Sequence, residues 1–247
     1  MSNLDWQVFC KDNLEQTVVA GCLGKDGSIT YLDMLLAAWK WTLMVSVSSL
    51  LLALVVGSMV GIMRTLPGRP WRILGEAWTE LFRNIPLLVQ IFLWYFVLPV
   101  LIPPLAKLPP FYLVAMALGF FTSARVSEQI KAGIESLSKG QRYAGLAMGL
   151  TLGQTYRYVL LPMAFRIVIP PLTSESMNIV KNSAAAFAVS IPELTQFAMQ
   201  GQEETARGVE LYLAVTGLYV VSALLINYIA KFIERRLRVP GMMGHGR

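Results

Sequence analysis

Four polar side chains late in the sequence have the types and spacing needed to bind a charged small molecule. Glu175, Asn178 and Asn182 recur at intervals of three and four residues, which places them on one face of a helix. Lys181 lies on another face, seven residues after Ser174. A carboxylate can bind an ammonium group, and lysine and asparagine can bind carboxylates. The alternative is that these side chains hold protein segments together.

The composition places this cluster in an apolar environment. Of the 247 residues, 55% are hydrophobic and only 15% are charged, whereas soluble domains carry about a quarter charged residues. The apolar residues form long uncharged runs, and the mean hydropathy is +0.55. The sequence therefore predicts an all-α integral membrane protein. The net charge of +6 does not indicate nucleic-acid binding, because the basic residues cluster just outside the apolar runs.

About five runs have the length of a membrane-spanning helix, which needs roughly 20 apolar residues. They are residues 41–63, 85–105, 108–124, 167–191 and 209–230. We expect Pro86, Pro99 and Pro103 to kink the second span. We expect Pro170 and Pro171 to break regular helix just before the polar cluster. The cluster lies within the fourth span, where charges normally pair or line a cavity.

The distribution of Lys and Arg predicts the orientation. Fifteen of them fall in the loop after the first span, the loop after the third span and the C-terminal tail, against five on the opposite side. Because basic residues concentrate on the cytoplasmic side, the N-terminus is expected outside and the C-terminus inside, which requires an odd number of spans. The predicted organisation is a periplasmic segment 1–40, a membrane domain 41–230 with a cytoplasmic loop 125–166, and a cytoplasmic tail 231–247.

The N-terminal segment holds both cysteines, Cys10 and Cys22. They are either two free thiols or a disulfide, which an oxidising compartment would permit. No cleavable signal peptide is evident, because the first apolar run is too long for one. The sole histidine, His245, lies in a glycine-rich tail, so no metal site and no catalytic residue are expected.

The loop 125–166 is predicted to be mostly helical. Its centre reads Gly-Gln-Arg-Tyr-Ala-Gly-Leu-Ala-Met-Gly-Leu from Gly140 to Leu150, with a glycine suited to ending a helix. Tyr143, Leu146 and Leu150 would share one face. This helix either lies on the membrane surface or docks into a groove of a soluble partner.

Several motifs resemble those of the permease subunits of ABC importers. Gly140, Gln141, Ala144, Gly149 and the later Leu160-Leu161-Pro162 match the cytoplasmic loop of that family, although Tyr143 and Gly145 replace its usual glutamate and second alanine. Two further segments, 80–90 and 178–183, resemble the polar amino-acid permeases. The Phe-Arg-Asn-Ile-Pro motif ending at Pro86 and the Arg-Leu-Arg-Val-Pro-Gly-Met-Met-Gly motif from Arg236 are closest to its glutamate/aspartate branch.

This resemblance implies a type I ABC importer fold in a bacterial inner membrane. It implies a second permease subunit, identical or similar, two ATPase subunits that bind ATP and Mg, and a periplasmic substrate-binding protein. This chain itself would bind no cofactor, and it has no glycine-rich phosphate loop with which to hydrolyse ATP. The residues expected to couple to the ATPase are Gly140, Gln141, Arg142, Tyr143, Ala144, Gly145, Leu146 and Gly149.

The expected substrate path comprises Glu175, Asn178, Lys181, Asn182 and Arg125. Glu175 would bind an ammonium group, and Lys181 or the asparagines would bind carboxylates. Arg125 could approach an acidic substrate or serve only as a positive-inside anchor. The branch favours glutamate and aspartate, with glutamine-type or basic amino acids as alternatives. An ion-gradient-driven secondary transporter is the alternative of another class.

Overall fold

The computed structural model describes residues 4–24 and 28–237, and within them the regular structure is helical. The predictions for His245 and for the tail after Leu237 concern residues outside this described part. Two isolated backbone bridges, Lys11 with Val18 and Asp12 with Thr30, fold the N-terminal segment back on itself. The helices are α1 Tyr31–Met63, α2 Arg69–Asn84, α3 Leu87–Phe92, α4 Leu98–Leu101, α5 Pro110–Glu135, α6 Lys139–Ala147, α7 Leu152–Thr155, α8 Leu161–Asn182, α9 Leu194–Thr205 and α10 Gly208–Leu237.

Helix α1 begins ten residues before the predicted first span. Thr30 caps it, because its hydroxyl accepts a hydrogen bond from the Asp33 amide at 3.3 Å while the Asp33 carboxylate accepts one from the Thr30 amide at 3.0 Å. This reciprocal pair satisfies amides that the first helical turn leaves unpaired. The predicted boundary at residue 40 therefore falls inside a helix.

The second predicted span, 85–105, is not one regular helix. Ile85 is extended (φ −91°, ψ 128°) because the following Pro86 disfavours helical backbone, and a separate helix begins at Leu87. A π-helical turn at Leu93–Val97 and a 3-10 helix at Pro103–Lys107 interrupt the rest. Pro86 thus separates two helices instead of kinking one.

Helix α5 runs past Arg125, where the mostly helical cytoplasmic loop is predicted to start, and that boundary stays a prediction. The helix continues through Arg125 to Glu135, because no glycine or proline stops it where it packs against α1. A Cβ atom added to Gly57 would lie 2.6 Å from Cβ of Val126, and one added to Gly61 would lie 2.7 Å from Cβ of Ile130. Small residues four apart therefore let the two helix backbones approach closely.

Helix α8 contains Pro170 and Pro171 without ending at either, so the predicted break is wrong. Apolar helices tolerate proline where neighbouring groups satisfy the freed carbonyls. A π-helical turn, Tyr156–Leu160, precedes α8, and a 3-10 helix, Ser183–Val189, follows it. The polar cluster thus lies on the last turns of a continuous helix.

Among the described residues, three helices are long and apolar enough to cross a membrane: α1, α5 and α10. The bent pair of α2 with Leu87–Leu101 raises that number to four if it forms one span. Helix α8 does not qualify, because Arg166, Glu175 and Lys181 lower its hydropathy. Five spans and the predicted orientation stay predictions.

The chain divides into two compact units, each with its own core. The first unit contains the chain up to Ser49 with Pro86–Leu118 and Ile179–Ala223, and its core includes Tyr31, Leu194, Phe197 and Leu211. The second contains Leu50–Ile85, Gly119–Asn178 and the chain from Leu224. Its core includes Val126, Ile130, Tyr156, Leu160 and Val168.

Candidate functional site

The second unit brings three of the predicted substrate-path residues together. Nη1 of Arg125, on α5, lies 3.8 Å from Oε2 of Glu175, on α8. Asn178 also forms a side-chain hydrogen bond with Glu175. We call Arg125, Gln129, Glu175 and Asn178 the Arg125–Glu175 cluster.

Gln129 is the member that the sequence interpretation missed. Its Nε2 donates to Oε1 of Glu175 at 3.2 Å, while its own Oε1 is buried and has no hydrogen-bond partner among the described residues. Gln129 lies four residues after Arg125, so both project from the same face of α5. That spacing was the signal from which it could have been found.

The side chains of Arg125 and Glu175 differ sharply in their exposure to solvent. The side chain of Glu175 is only 11% exposed, whereas that of Arg125 is 42% exposed. The guanidinium carbon of Arg125 also lies 5.0 Å from the ring centroid of Phe121, within cation–π range. Arg125 is thus held by two neighbours and keeps donors free for a further acceptor, since a guanidinium has five.

Lys181 and Asn182 are not part of this cluster. They belong to the first unit at the end of α8, where Lys181 is exposed and Asn182 is half-buried. Lys181 forms no ion pair among residues 4–24 and 28–237. The expectation that Glu175 is available for an ammonium group also changes, because its carboxylate already has partners within the chain.

The helix predicted in the loop 125–166 is present as α6, Lys139–Ala147. Gly149 follows it with φ +83°, and its amide donates to the Leu146 carbonyl at 3.0 Å while the Leu150 amide donates to that of Gly145 at 3.1 Å. Glycine adopts this left-handed conformation without penalty, which confirms the predicted helix stop. Leu150 lies beyond the helix, so its predicted place on the same face is wrong.

Helix α6 presents apolar side chains to its surroundings. Tyr143 is 65% exposed and Leu146 39%, and Met148 just after the helix is 83% exposed. Gly145 is buried instead, and a Cβ atom there would lie 2.9 Å from Cγ2 of Thr155. This contact explains why glycine stands where the resemblance leads one to expect alanine.

Gly140 and Ala144 of α6 are exposed, and Gln141 and Arg142 are half-buried. Oε1 of Gln141 is buried and has no hydrogen-bond partner in the part of the chain that the structure describes. The two N-terminal cysteines are joined: a disulfide links Cys10 and Cys22.

Comparison with known proteins identifies the family. Residues 38–239 match the family described as binding-protein-dependent transport system inner membrane component. The chain is 44% identical over 228 residues to the glutamate/aspartate import permease protein GltJ of Escherichia coli strain K12, covering 88% of this chain and 93% of that one. It is 32% identical over 211 residues to the glutamine transport system permease protein GlnP of the same organism, covering 84% and 94%.

A solved structure, that of an amino acid ABC transporter with histidines, superimposes with a TM-score of 0.73 at 28% identity, covering 83% of this chain and 95% of that one. The chain therefore belongs to the family of binding-protein-dependent transport system inner membrane components. It has the type I ABC importer permease fold and is a membrane transport subunit without an ATPase site of its own.

Proposed function

We propose that this chain is a permease subunit of an ATP-driven importer of glutamate and aspartate in a bacterial inner membrane. The observation that carries the proposal is the 44% identity to a glutamate/aspartate import permease over 88% of the chain. The half-exposed guanidinium of Arg125 agrees with an anionic substrate, because arginine binds carboxylates through paired hydrogen bonds.

In this proposal Arg125 binds the side-chain carboxylate of the substrate and Glu175 positions it. Glu175 holds one edge of the guanidinium, and Phe121 lies against its face. Asn178 and Gln129 fix the carboxylate of Glu175. Lys181 and Asn182 would meet the substrate at another stage of its passage, since they lie beyond the cluster on α8.

Energy would come from separate subunits. Helix α6 would dock in a groove of an ATPase subunit through Tyr143 and Leu146, and closure of two ATPase subunits with ATP and Mg would move the permease as a rigid body. A second permease subunit, identical or similar, would complete the membrane part, and a periplasmic binding protein would deliver the substrate.

The first test is to purify the tagged chain from its native membrane in mild detergent and identify the co-purifying proteins by mass spectrometry. The complex is then reconstituted in proteoliposomes with its binding protein, and uptake of labelled glutamate, aspartate, glutamine and arginine is measured with and without ATP. ATP-dependent uptake of the two acidic amino acids supports the proposal. A chain that copurifies with no ATPase, even after cross-linking, would refute it in favour of gradient-driven transport.

Glutamine is the second candidate substrate. The 32% identity to a glutamine permease over 84% of the chain favours it. A neutral side-chain amide needs no cation, so the two candidates differ in their need for Arg125. Uptake of glutamine that Arg125→Gln leaves unchanged would select this alternative.

A further inference from the structure

A pocket of about 650 Å³ lies in the second unit, beside the start of α6. Five cationic side chains line it, against two carboxylates. The cations are Arg64, Arg72, Lys131, Lys139 and Arg142, and the carboxylates are Glu76 and Glu135. Its lining therefore carries an excess of positive charge, contributed by α2, α5, α6 and the chain just after α1.

Arg64 is the buried cation of this basic pocket, with only 6% of the residue exposed. Its Nη2 lies 2.9 Å from Oε1 of Glu128 and its Nη1 donates to Oγ of Ser127 at 3.2 Å. Its Nε is buried and has no hydrogen-bond partner among the described residues. A buried donor without an acceptor costs free energy, so the positive charge of Arg64 is incompletely compensated at this position.

The carboxylates of the pocket do not neutralise its cations. Glu76 lies 3.9 Å from Nζ of Lys131 and 4.0 Å from Nε of Arg72, so one carboxylate serves two cations. Lys139 and Arg142, both on α6, form no ion pair in the described part of the chain. These two side chains are available to a ligand.

Helix α2 suggests where such a ligand could come from. Trp71, Leu74 and Leu81 recur on one side of α2 and are each more than half exposed, while Arg72 of the same helix lines the pocket. A helix with exposed tryptophan and leucine beside arginine is suited to the membrane interface, where phosphate head groups lie. Basic pockets on the cytoplasmic side of membrane helices bind such head groups.

We propose that the basic pocket binds a phosphate-bearing anion, either a phospholipid head group or a soluble phosphate compound. Arginine binds two phosphate oxygens at once and lysine contributes a point charge, so the lining suits phosphate in particular. The volume exceeds that of one inorganic phosphate and accommodates a phosphoglycerol group. The ligand joins α6 to α2 and α5. That this join affects energy coupling rests on the proposed function, whereas binding itself does not.

The test uses the full chain purified in neutral detergent. Native mass spectrometry counts the phosphatidylglycerol retained by the chain, with phosphatidylcholine as the neutral comparison. Thermal unfolding is measured in parallel against inorganic phosphate at constant ionic strength. The test variant is Lys139→Gln/Arg142→Gln, and the matched control is Arg157→Gln/Arg166→Gln, which removes two exposed cations that do not line the pocket.

We expect the chain and the control to retain phosphatidylglycerol over phosphatidylcholine, and the test variant to bind it at least about tenfold more weakly. That result identifies a lipid as the source. Saturable stabilisation by inorganic phosphate that the test variant loses, without lipid retention, identifies a soluble source. Equal binding by the test variant and the control, or no binding in either arm, overturns the proposal. Neither arm requires an ATPase, so failure here is distinct from failure of the import assay.

Discussion

The guanidinium of Arg125 and the carboxylate of Glu175 lie 3.8 Å apart, and the cation is about four times as exposed as the anion. The pair is therefore asymmetric: the carboxylate is enclosed by protein, and the guanidinium keeps a free edge. Such an arrangement suits a receptor for anions better than a receptor for ammonium groups. It also means that changes to the two residues should have different effects.

Glu175→Gln should weaken transport by raising the KM for glutamate. The amide keeps the volume and one oxygen that can accept from Gln129 but no longer fixes the guanidinium by charge, so we expect the KM for glutamate to rise about tenfold and kcat to change less. The measurement is ATP-dependent uptake in proteoliposomes over a range of substrate concentrations. Glu203→Gln, at an exposed position of α9, is the control. An unchanged KM would exclude Glu175 as a positioning residue.

Gly145→Ala should destabilise the loop that carries α6. Alanine favours helix by about 1 kcal/mol over glycine, but its Cβ would lie 2.9 Å from Cγ2 of Thr155, and overpacking costs about 1–3 kcal/mol. We expect the double variant Gly145→Ala/Thr155→Ala to regain about 1 kcal/mol relative to the single variant. Thermal unfolding of all four combinations gives the coupling. If the stability changes of Gly145→Ala and Thr155→Ala are additive, contact with Thr155 is not the reason for glycine at position 145.

Leu146→Asp should weaken docking of the ATPase. A central apolar contact is typically worth 2 kcal/mol or more, so affinity should fall about thirtyfold. Binding of purified ATPase to the immobilised permease measures it. Leu14→Asp changes an equally apolar side chain that is 85% exposed in the N-terminal segment, and it should leave that affinity unchanged. An equal loss of ATPase affinity in the Leu146→Asp and Leu14→Asp variants would show that α6 is not part of the interface.

The disulfide between Cys10 and Cys22 should stabilise the N-terminal segment. It closes a loop of 12 residues, and a cross-link over that length contributes about 3 kcal/mol by limiting the unfolded chain. We expect Cys10→Ser/Cys22→Ser to speed proteolysis within residues 4–24. Alkylation and mass measurement with and without reductant test the bond in cells. If the alkylated N-terminal peptide has the same mass with and without reductant, the two cysteines are free thiols in cells. That result would place this segment in a reducing compartment and contradict the predicted orientation.

Asp12 should make the same segment sensitive to acid. The amides of Glu15, Leu14 and Ile29 donate to its carboxylate and lower its pKa below the ordinary 3.8. The stabilisation is thus complete above pH 3.8 and is lost as the pH falls through the lower, folded-state pKa. Hydrogen exchange at the Leu14 and Glu15 amides against pH measures it. Asp12→Asn should abolish this pH dependence, and Glu15→Gln should preserve it.

The sequence predicted more of the local structure than of the packing. Gly149 identified the end of α6, because one glycine after a helical pattern is a local signal. The sequence predicted an apolar span up to residue 124 and a mostly helical stretch after it, but it did not show that one helix joins the two and continues to Glu135. Close packing of Gly57 and Gly61 supports the helix there, and that contact is not visible along the sequence.

The basic pocket was missed for the same reason. Arg64 was counted as one of several loop cations that set the orientation, yet it is buried against Ser127 and Glu128, more than sixty residues away. Gln129 was overlooked although its spacing from Arg125 was readable. Contacts between residues far apart in the sequence depend on the tertiary structure. Contacts between residues three or four apart on one helix can be read from the sequence.

The uninterrupted course of α5 has a mechanical consequence for the proposed importer. At 1.5 Å per residue, Arg125 and Glu135 are held about 15 Å apart along one stiff rod. Helix α6 starts only four residues after Glu135, at Lys139. A displacement of α6 would therefore be transmitted to Arg125 as a rigid-body movement of α5. In the proposed importer, the residue that binds the anion would lie on α5, and the helix that docks on the ATPase would directly follow the end of α5.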